Sequence, residues 1–145
     1  MTLDAKTRLS LRQAIDQFSE ATVRQSDKTL SNAQMEALKQ RKTQLRLGQL
    51  NNLLGVARET DSPAVVVNWI RYQMGRRETR DGWRNSGLGD KVIKDIRDME
   101  TSARQVSQDV FGDDSPNHLR QAHIALIRRY VGYLKRWFVA KGGQQ

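Results

Sequence analysis

The sequence SPNHLRQAHIALIRRYVGYLKRWFVAKGGQQ, residues 115–145, is the stretch that decides the fold. It contains six Lys or Arg residues and no Asp or Glu. At about 100° per residue, its larger apolar side chains fall on one arc of a helix and most basic ones on the opposite side. The apolar arc comprises Leu119, His123, Leu126, Ile127, Tyr130, Tyr133, Leu134, Trp137 and Phe138, and the basic side comprises Arg128, Arg129, Lys135 and Arg136. The pattern predicts a long, basic, amphipathic C-terminal helix.

Helical patterns also fill the first part of the chain. Apolar residues recur at three- and four-residue spacing from Asp4 to Arg24, which predicts one helix, and residues 25–30 have the polar character of a turn. Ser31 followed by Gln34 is a capping-box pattern that opens a second helix. Gly48 favours a bend or break within that helix.

Start and stop signals divide the remainder of the chain. Ser62 and Pro63 form a helix start, and Gly75 is well placed to end that helix. Asp90 is predicted to cap the next helix, which runs to about Val110. Because strand-type alternation is hard to find, we predict an all-α fold. It is a single domain over residues 1–145, built as a compact bundle of five to six helices.

Residues 76–89 are predicted to form a long irregular segment, because glycines recur there beside Asn and Ser. Trp83 lies among its basic residues, and an exposed Trp would stack on an unpaired base. The alternative is that Trp83 packs against the bundle and anchors the segment. The cations of the segment are Arg76, Arg77, Arg80 and Arg84.

The formal net charge of +9 is unevenly distributed. Residues 1–62 carry +3, residues 63–114 carry zero and residues 115–145 carry +6. A polarised surface indicates an anionic partner, most often nucleic acid, although a merely solubilising face is the alternative. We therefore predict binding to the RNA or DNA backbone without sequence preference. The predicted contact residues are Arg76, Arg77, Arg80, Arg84, Arg128, Arg129, Lys135 and Arg136.

No pattern for catalysis or metal binding is evident in the sequence. There is no cysteine, and His118 and His123 are five residues apart, so a helix turns them about 140° away from each other. His123 falls on the apolar arc and is predicted to be a hydrogen-bonded core residue. The carboxylates of Asp95 and Asp98 alternate with basic residues, which predicts a solvated helix face. We expect a protein that is not an enzyme and needs no cofactor or metal.

Membrane and secretion signals are also missing. No apolar run approaches the roughly 18 residues that span a bilayer, and the first residues lack the apolar core of a signal peptide. We expect a soluble, cytoplasmic protein without a membrane partner.

Two motifs resemble those of a known family. LRQA at residues 119–122, Tyr130, and YLKRW at residues 133–137 resemble the C-terminal helix of the small subunit of type III CRISPR effector complexes. WIRYQMGR at residues 69–76 is similar to the tyrosine and Gly-Arg run near the middle of one branch of these subunits. Size, helical character, basicity and the lack of catalytic residues agree with this resemblance.

The resemblance implies a non-catalytic helical bundle within a guide-RNA ribonucleoprotein. Such subunits stack head to tail as copies of themselves, beside the other effector subunits, and contact the backbone of the guide–target RNA duplex. By the resemblance, Arg76, Lys135 and Arg136 lie near that duplex. The remaining five predicted contact residues follow from the charge argument alone.

Two alternatives stay open at this point. A stand-alone nucleic-acid-binding regulator would show a preferred sequence, although the chain has no helix-turn-helix pattern. A helical adaptor would instead bind an acidic protein through the same basic residues.

Overall fold

The computed structural model describes residues 3–145. This part of the chain contains eight α-helices and no β-strand, so the fold is all-α. A 3₁₀ turn (Arg41–Thr43) follows the third helix, and a π-helical turn (Asp81–Asn85) follows the fifth. The helices are α1 (Ala5–Asp16), α2 (Ser19–Thr29), α3 (Asn32–Lys39), α4 (Leu47–Glu59), α5 (Pro63–Gly75), α6 (Leu88–Asp98), α7 (Glu100–Phe111) and α8 (Pro116–Ala140). None of these helices is long and apolar enough to cross a membrane.

Helix α8 is the central element of the fold. It is 25 residues long and packs against α1, α2, α4, α5 and α7. It contributes Leu134 to the larger apolar core, which it shares with α3 to α6, and Leu126 to a smaller core that it shares with α1 and α7. Ile124 and Val131 are also buried, although they lie outside the predicted apolar arc. Helices on both flanks therefore enclose α8 more widely than its sequence pattern indicates.

The helix count is eight rather than five to six, because three of the predicted helices are broken. The predicted helix from Asp4 to Arg24 divides after Asp16, where the Phe18 N–H bonds to the Ile15 carbonyl at 2.9 Å. Helix α2 then continues through the predicted turn at residues 25–30. It does so because its polar side chains find partners inside the bundle: Thr22, Ser26 and Thr29 are buried.

The second and fourth predicted helices are also interrupted. The second helix ends at Lys39, and Gly48 lies within the first turn of α4 instead of at the break. The Leu45 N–H bonds to the Leu38 carbonyl at 3.1 Å, and this reversal buries Leu45. Full burial of a leucine contributes about 1.5–3 kcal/mol, which favours the reversal over a continuous helix. The fourth divides at Met99, between α6 and α7.

Residues 76–89 are compact helical turns rather than an irregular segment. A Cβ atom at Gly82 would lie 2.5 Å from the Gln44 carbonyl oxygen, and one at Gly89 would lie 2.6 Å from Met74 Sδ. These two glycines therefore permit close packing against neighbouring elements, which is the opposite of the mobility that they suggest in the sequence.

Asp95 was predicted to lie on a solvated face, but its carboxylate is buried between α2 and α8, with 4% of the residue exposed. It accepts hydrogen bonds from Gln25 Nε2 at 2.7 Å, from the Tyr130 hydroxyl at 2.5 Å and from the Thr29 hydroxyl. Burial raises the pKa of Tyr130 well above its ordinary value, and the Asp95 charge adds to this shift, so the hydroxyl remains a donor. Asp95 thereby joins three helices: α2, α6 and α8.

The prediction that His123 is a hydrogen-bonded core residue is confirmed. Its Nε2 lies 2.7 Å from the Ile96 carbonyl oxygen, to which the neutral ring donates. Burial lowers the pKa of this imidazole below its ordinary value, although the bond to Ile96 opposes the shift. His123 is therefore a neutral structural residue near pH 7.

Replacement of Asp95 tests its structural role. We expect Asp95→Ala to lower the free energy of unfolding by about 3 kcal/mol or more, because three donors, two of them buried, lose a charged acceptor. Asp95→Asn keeps an acceptor oxygen, so we expect a smaller loss in the free energy of unfolding. Urea denaturation measures both. The control is Asp98→Ala in the same helix, whose pair with Lys94 is exposed to solvent and therefore contributes little to stability. A loss at Asp95→Ala as small as that of the control would contradict this role.

Candidate nucleic-acid interface

Trp83 is an internal anchor and is not available for base stacking. It is fully buried, and its Nε1 donates a hydrogen bond to Gln49 Oε1 at 3.3 Å. Its ring meets the Trp69 ring edge-on, with centroids 5.6 Å apart and planes at 86°. This outcome agrees with the alternative in which Trp83 fixes residues 76–89 against the bundle.

The four arginines around Trp83 remain on the surface, as predicted. Arg76 forms an ion pair with Glu78 at 3.1 Å, and Arg80 donates to the Gly75 carbonyl at 3.3 Å. The guanidinium groups of Arg77 and Arg84 are exposed and have no hydrogen-bond or ion-pair partner within residues 3–145. Because Trp83 holds the chain in place, these cations are displayed by a rigid segment.

Arg128 and Arg129 are not on a free basic face, although the sequence pattern predicted one. Arg128 is half-buried and donates from Nε to the Ala57 carbonyl at 2.7 Å and from a terminal nitrogen to the Thr60 carbonyl at 2.9 Å. Arg129 forms an ion pair with Asp16 at 2.8 Å. Arg128 thus satisfies carbonyl groups at the C-terminal end of α4, and Arg129 ties α8 to α1.

Among the cations at residues 135–141, one is likewise held by internal contacts and two remain accessible. Lys141 donates to the carbonyl groups of Asp27 and Leu30, at 3.0 and 2.8 Å, and so closes the C-terminal end of α2. Lys135 is half-exposed and Arg136 is exposed, with its guanidinium 5.9 Å from the centre of the Tyr133 ring. Only part of the positive charge at residues 115–145 is therefore free to meet an external anion.

The structure brings five arginines together in a cleft that the sequence did not reveal. This arginine cleft has a volume of about 350 Å³ and lies between α1, α4 and α8. Its apolar floor is formed by Leu11, Ile15 and Ala125. Its cations are Arg8 and Arg12 from α1, Arg58 from α4, and Arg128 and Arg129 from α8.

The five arginines of the cleft differ in whether other residues hold their side chains. Arg128 and Arg129 are held by the contacts described above, and Arg8 donates to the Leu3 carbonyl at 3.2 Å. Arg12 and Arg58 are exposed and have no partner among the residues that the structure describes. Two unpaired guanidinium groups, one from α1 and one from α4, thus lie beside cations that contacts hold in position. Guanidinium groups bind phosphate through paired, charge-assisted hydrogen bonds, so this arrangement favours a phosphate-bearing ligand.

Part of the cleft could have been predicted from the sequence. Arg8 and Arg12 are four residues apart and therefore share a helix face, next to the face of Leu11 and Ile15. Arg58 gives no such signal, because only the packing of α4 beside α8 brings it to the cleft.

A second cavity, of about 540 Å³, is less suited to an anion. It lies between the N-terminal ends of α5 and α8 and is bordered by α6 and α7. Unlike the arginine cleft it is lined by carboxylates, Glu100 and Asp114, which pair with Arg104 at 3.5 and 3.1 Å. Across residues 3–145, no group of three or more His, Cys, Asp or Glu side chains is arranged to hold a metal ion.

Comparison with known proteins adds no relative. No protein-family model, no curated protein sequence and no solved structure matches the chain.

Replacing Arg128 tests its role within the fold. We expect Arg128→Ala to lower the free energy of unfolding by about 1.5–3 kcal/mol, because two carbonyl groups at the end of α4 lose a charged donor. Chemical denaturation measures this loss, and Arg136→Ala on the exposed side of the same helix is the control. If both variants are as stable as the unchanged protein, Arg128 does not tie α4 to α8.

Proposed function

We propose that this protein is a non-catalytic RNA-binding subunit of a ribonucleoprotein. The observation that carries the proposal is the arginine cleft, where five guanidinium groups from three helices surround one opening. An RNA backbone supplies phosphates at regular spacing, so it can occupy such a cleft whatever its sequence. Contacts of this kind contribute affinity and orientation but no base recognition.

The exposed arginines around Trp83 extend this binding surface. Arg77, Arg80 and Arg84 project from a segment that Trp83 fixes to the core. Lys135 and Arg136 add accessible charge on α8. Arg128 and Arg129 contribute through the cleft, where their internal partners leave them in place beside Arg12 and Arg58. The eight residues predicted from the sequence thus have unequal roles in the proposal.

We further propose that the ribonucleoprotein is a type III CRISPR effector complex, with this chain as its small subunit. The motifs at residues 69–76 and 119–137 support this assignment, as does the all-α fold. In that role, copies stack head to tail and the exposed basic residues face the guide–target duplex. The exposed charges of α6 and α7 are of both signs, for example Asp98 with Lys94 and Glu100 with Arg104, and offer a mixed surface to a neighbouring copy. The proposal implies a cytoplasmic protein.

Charge reversal at Arg12 and Arg58 tests RNA binding without disturbing the fold, since neither residue has an internal partner within residues 3–145. We expect Arg12→Glu/Arg58→Glu to weaken binding to RNA of any sequence. It should also reduce the slope of log affinity against log salt by about 1–2, as expected when two phosphate contacts are lost. Fluorescence anisotropy with two unrelated RNA sequences, over a range of salt concentrations, measures both effects.

A matched control separates the cleft from net charge. Lys94→Glu/Arg104→Glu makes the same change in net charge but alters exposed ion pairs away from the cleft, those of Lys94 with Asp98 and of Arg104 with Glu100 and Asp114. The control is expected to keep most of the affinity. Equal losses in the two double variants would show that net charge matters and the cleft does not.

Membership of an effector complex needs a separate test. A tagged copy of the full chain is purified from its native host, and the eluate is analysed by mass spectrometry and RNA sequencing. We expect several larger proteins and short RNAs that share a repeat-derived end. Elution with one acidic protein, or with a single DNA site, would instead support the adaptor or the regulator.

A further inference from the structure

A polar groove lies beside the arginine cleft, and α4 borders both. It has a volume of about 500 Å³ and runs between α4 and α5. Side-chain amides border it, together with two aromatic rings and one charge of each sign, from Glu59 and Arg76. The amides are those of Gln49, Asn51 and Asn52, and the rings are those of Trp69 and Tyr72.

Tyr72 is the most unusual residue of the groove. It is 62% exposed, more than Leu9, Val65 or Val139, the other large apolar side chains that reach the surface. Its hydroxyl has no hydrogen-bond partner in the described part of the chain, and its ring lies outside both apolar cores. Folding therefore does not explain its position.

Tyr72 lies about one helical turn beyond a residue that packs against the core. It follows Trp69 by three residues, so the two side chains lie on one face of α5. Trp69 packs against the larger apolar core and meets the buried Trp83 edge-on. A planar group entering the groove would meet the exposed ring of Tyr72.

The polar residues of the groove suit the edge of a nucleobase. Asn51 and Asn52 are exposed, and their side-chain amides make no hydrogen bond to any other described residue. An amide side chain offers one donor and one acceptor side by side, which matches the hydrogen-bonding edges of the bases. The Gln49 amide is oriented by the Trp83 Nε1 that donates to its oxygen.

The groove and the arginine cleft share α4 as a common wall. Asn51 and Arg58 are seven residues apart, so both lie on the same side of that helix, and they border the groove and the cleft respectively. At its other side the groove meets Arg76, where the exposed arginines around Trp83 begin. A strand that leaves the cleft would therefore pass along α4 to reach the groove.

We infer that the groove between α4 and α5 binds an unpaired nucleobase of the RNA strand whose phosphates occupy the arginine cleft, with the base stacked on Tyr72. This inference rests on the proposed function. It adds a preference for single-stranded over double-stranded RNA, because a paired base has no free face to stack on the ring.

The test uses the full chain and a 12-nucleotide RNA that contains one 2-aminopurine, whose fluorescence falls when the base stacks. The same RNA annealed to its complement is the paired probe. We expect the single strand to be quenched on binding to the unchanged protein and to Tyr72→Phe. Tyr72→Ala is expected to lose the quenching and to weaken single-strand binding about 5- to 150-fold, with duplex binding unchanged. Val65→Ala, at another exposed position on α5, is the control for folding and surface change.

The outcomes separate this inference from the function on which it rests. If Tyr72→Ala binds and quenches the single strand like the unchanged protein, while Arg12→Glu/Arg58→Glu loses affinity, the groove does not hold a base and the cleft still binds RNA. If the unchanged protein binds neither probe, both proposals fail. Equal losses for single-stranded and paired RNA in Tyr72→Ala would also overturn the inference, because they would show a contact that does not depend on an unpaired base.

Discussion

The buried carboxylate of Asp95 is the contact on which the arrangement of helices depends. Its two oxygens accept hydrogen bonds from the side chains of Gln25, Thr29 and Tyr130. These bonds join α6 at one point to α2 and to the middle of α8. A buried charge with fewer partners would be unfavourable by several kcal/mol, and α2 and α8 can supply these donors only in one relative position. This requirement fixes the position of α8 along its own axis, and with it the positions of Arg128 and Arg129 in the cleft.

Several basic residues also hold helices together by bonding to polar groups of neighbouring helices. Arg128 and Lys141 each satisfy carbonyl groups at the end of a neighbouring helix, and Arg129 pairs with Asp16. Much of the positive charge of the last helix therefore holds the bundle together. The cations that remain free, Arg12 and Arg58 above all, are set around the fixed ones. Binding to phosphate then requires little rearrangement of the protein, because the cleft is shaped by contacts that already stabilise the fold.

The sequence predicted the all-α class, the long last helix and the core position of His123, since each depends on local periodicity. It did not predict the break at Phe18, and it predicted the break in the second helix at Gly48 rather than at residues 40–46, because the burial of Leu45 and of the polar side chains of α2 depends on the rest of the bundle. Asp95 looked solvent-exposed for the same reason: its donors lie 35 or more residues away. The candidate site was predicted in part. The arginines around Trp83 are exposed as expected, whereas the cleft exists only because α1, α4 and α8 meet.

The central claim is that one surface, from the arginine cleft across α4 to the groove beside Tyr72, contacts RNA. Photo-crosslinking of the full chain to an RNA containing 4-thiouridine, followed by mass spectrometry of the crosslinked peptides, tests this claim most directly. The account predicts crosslinks in α1, in α4 and in residues 69–84. Crosslinks concentrated on α6 and α7, where the exposed carboxylates lie, would contradict it, as would their absence at RNA concentrations that saturate binding.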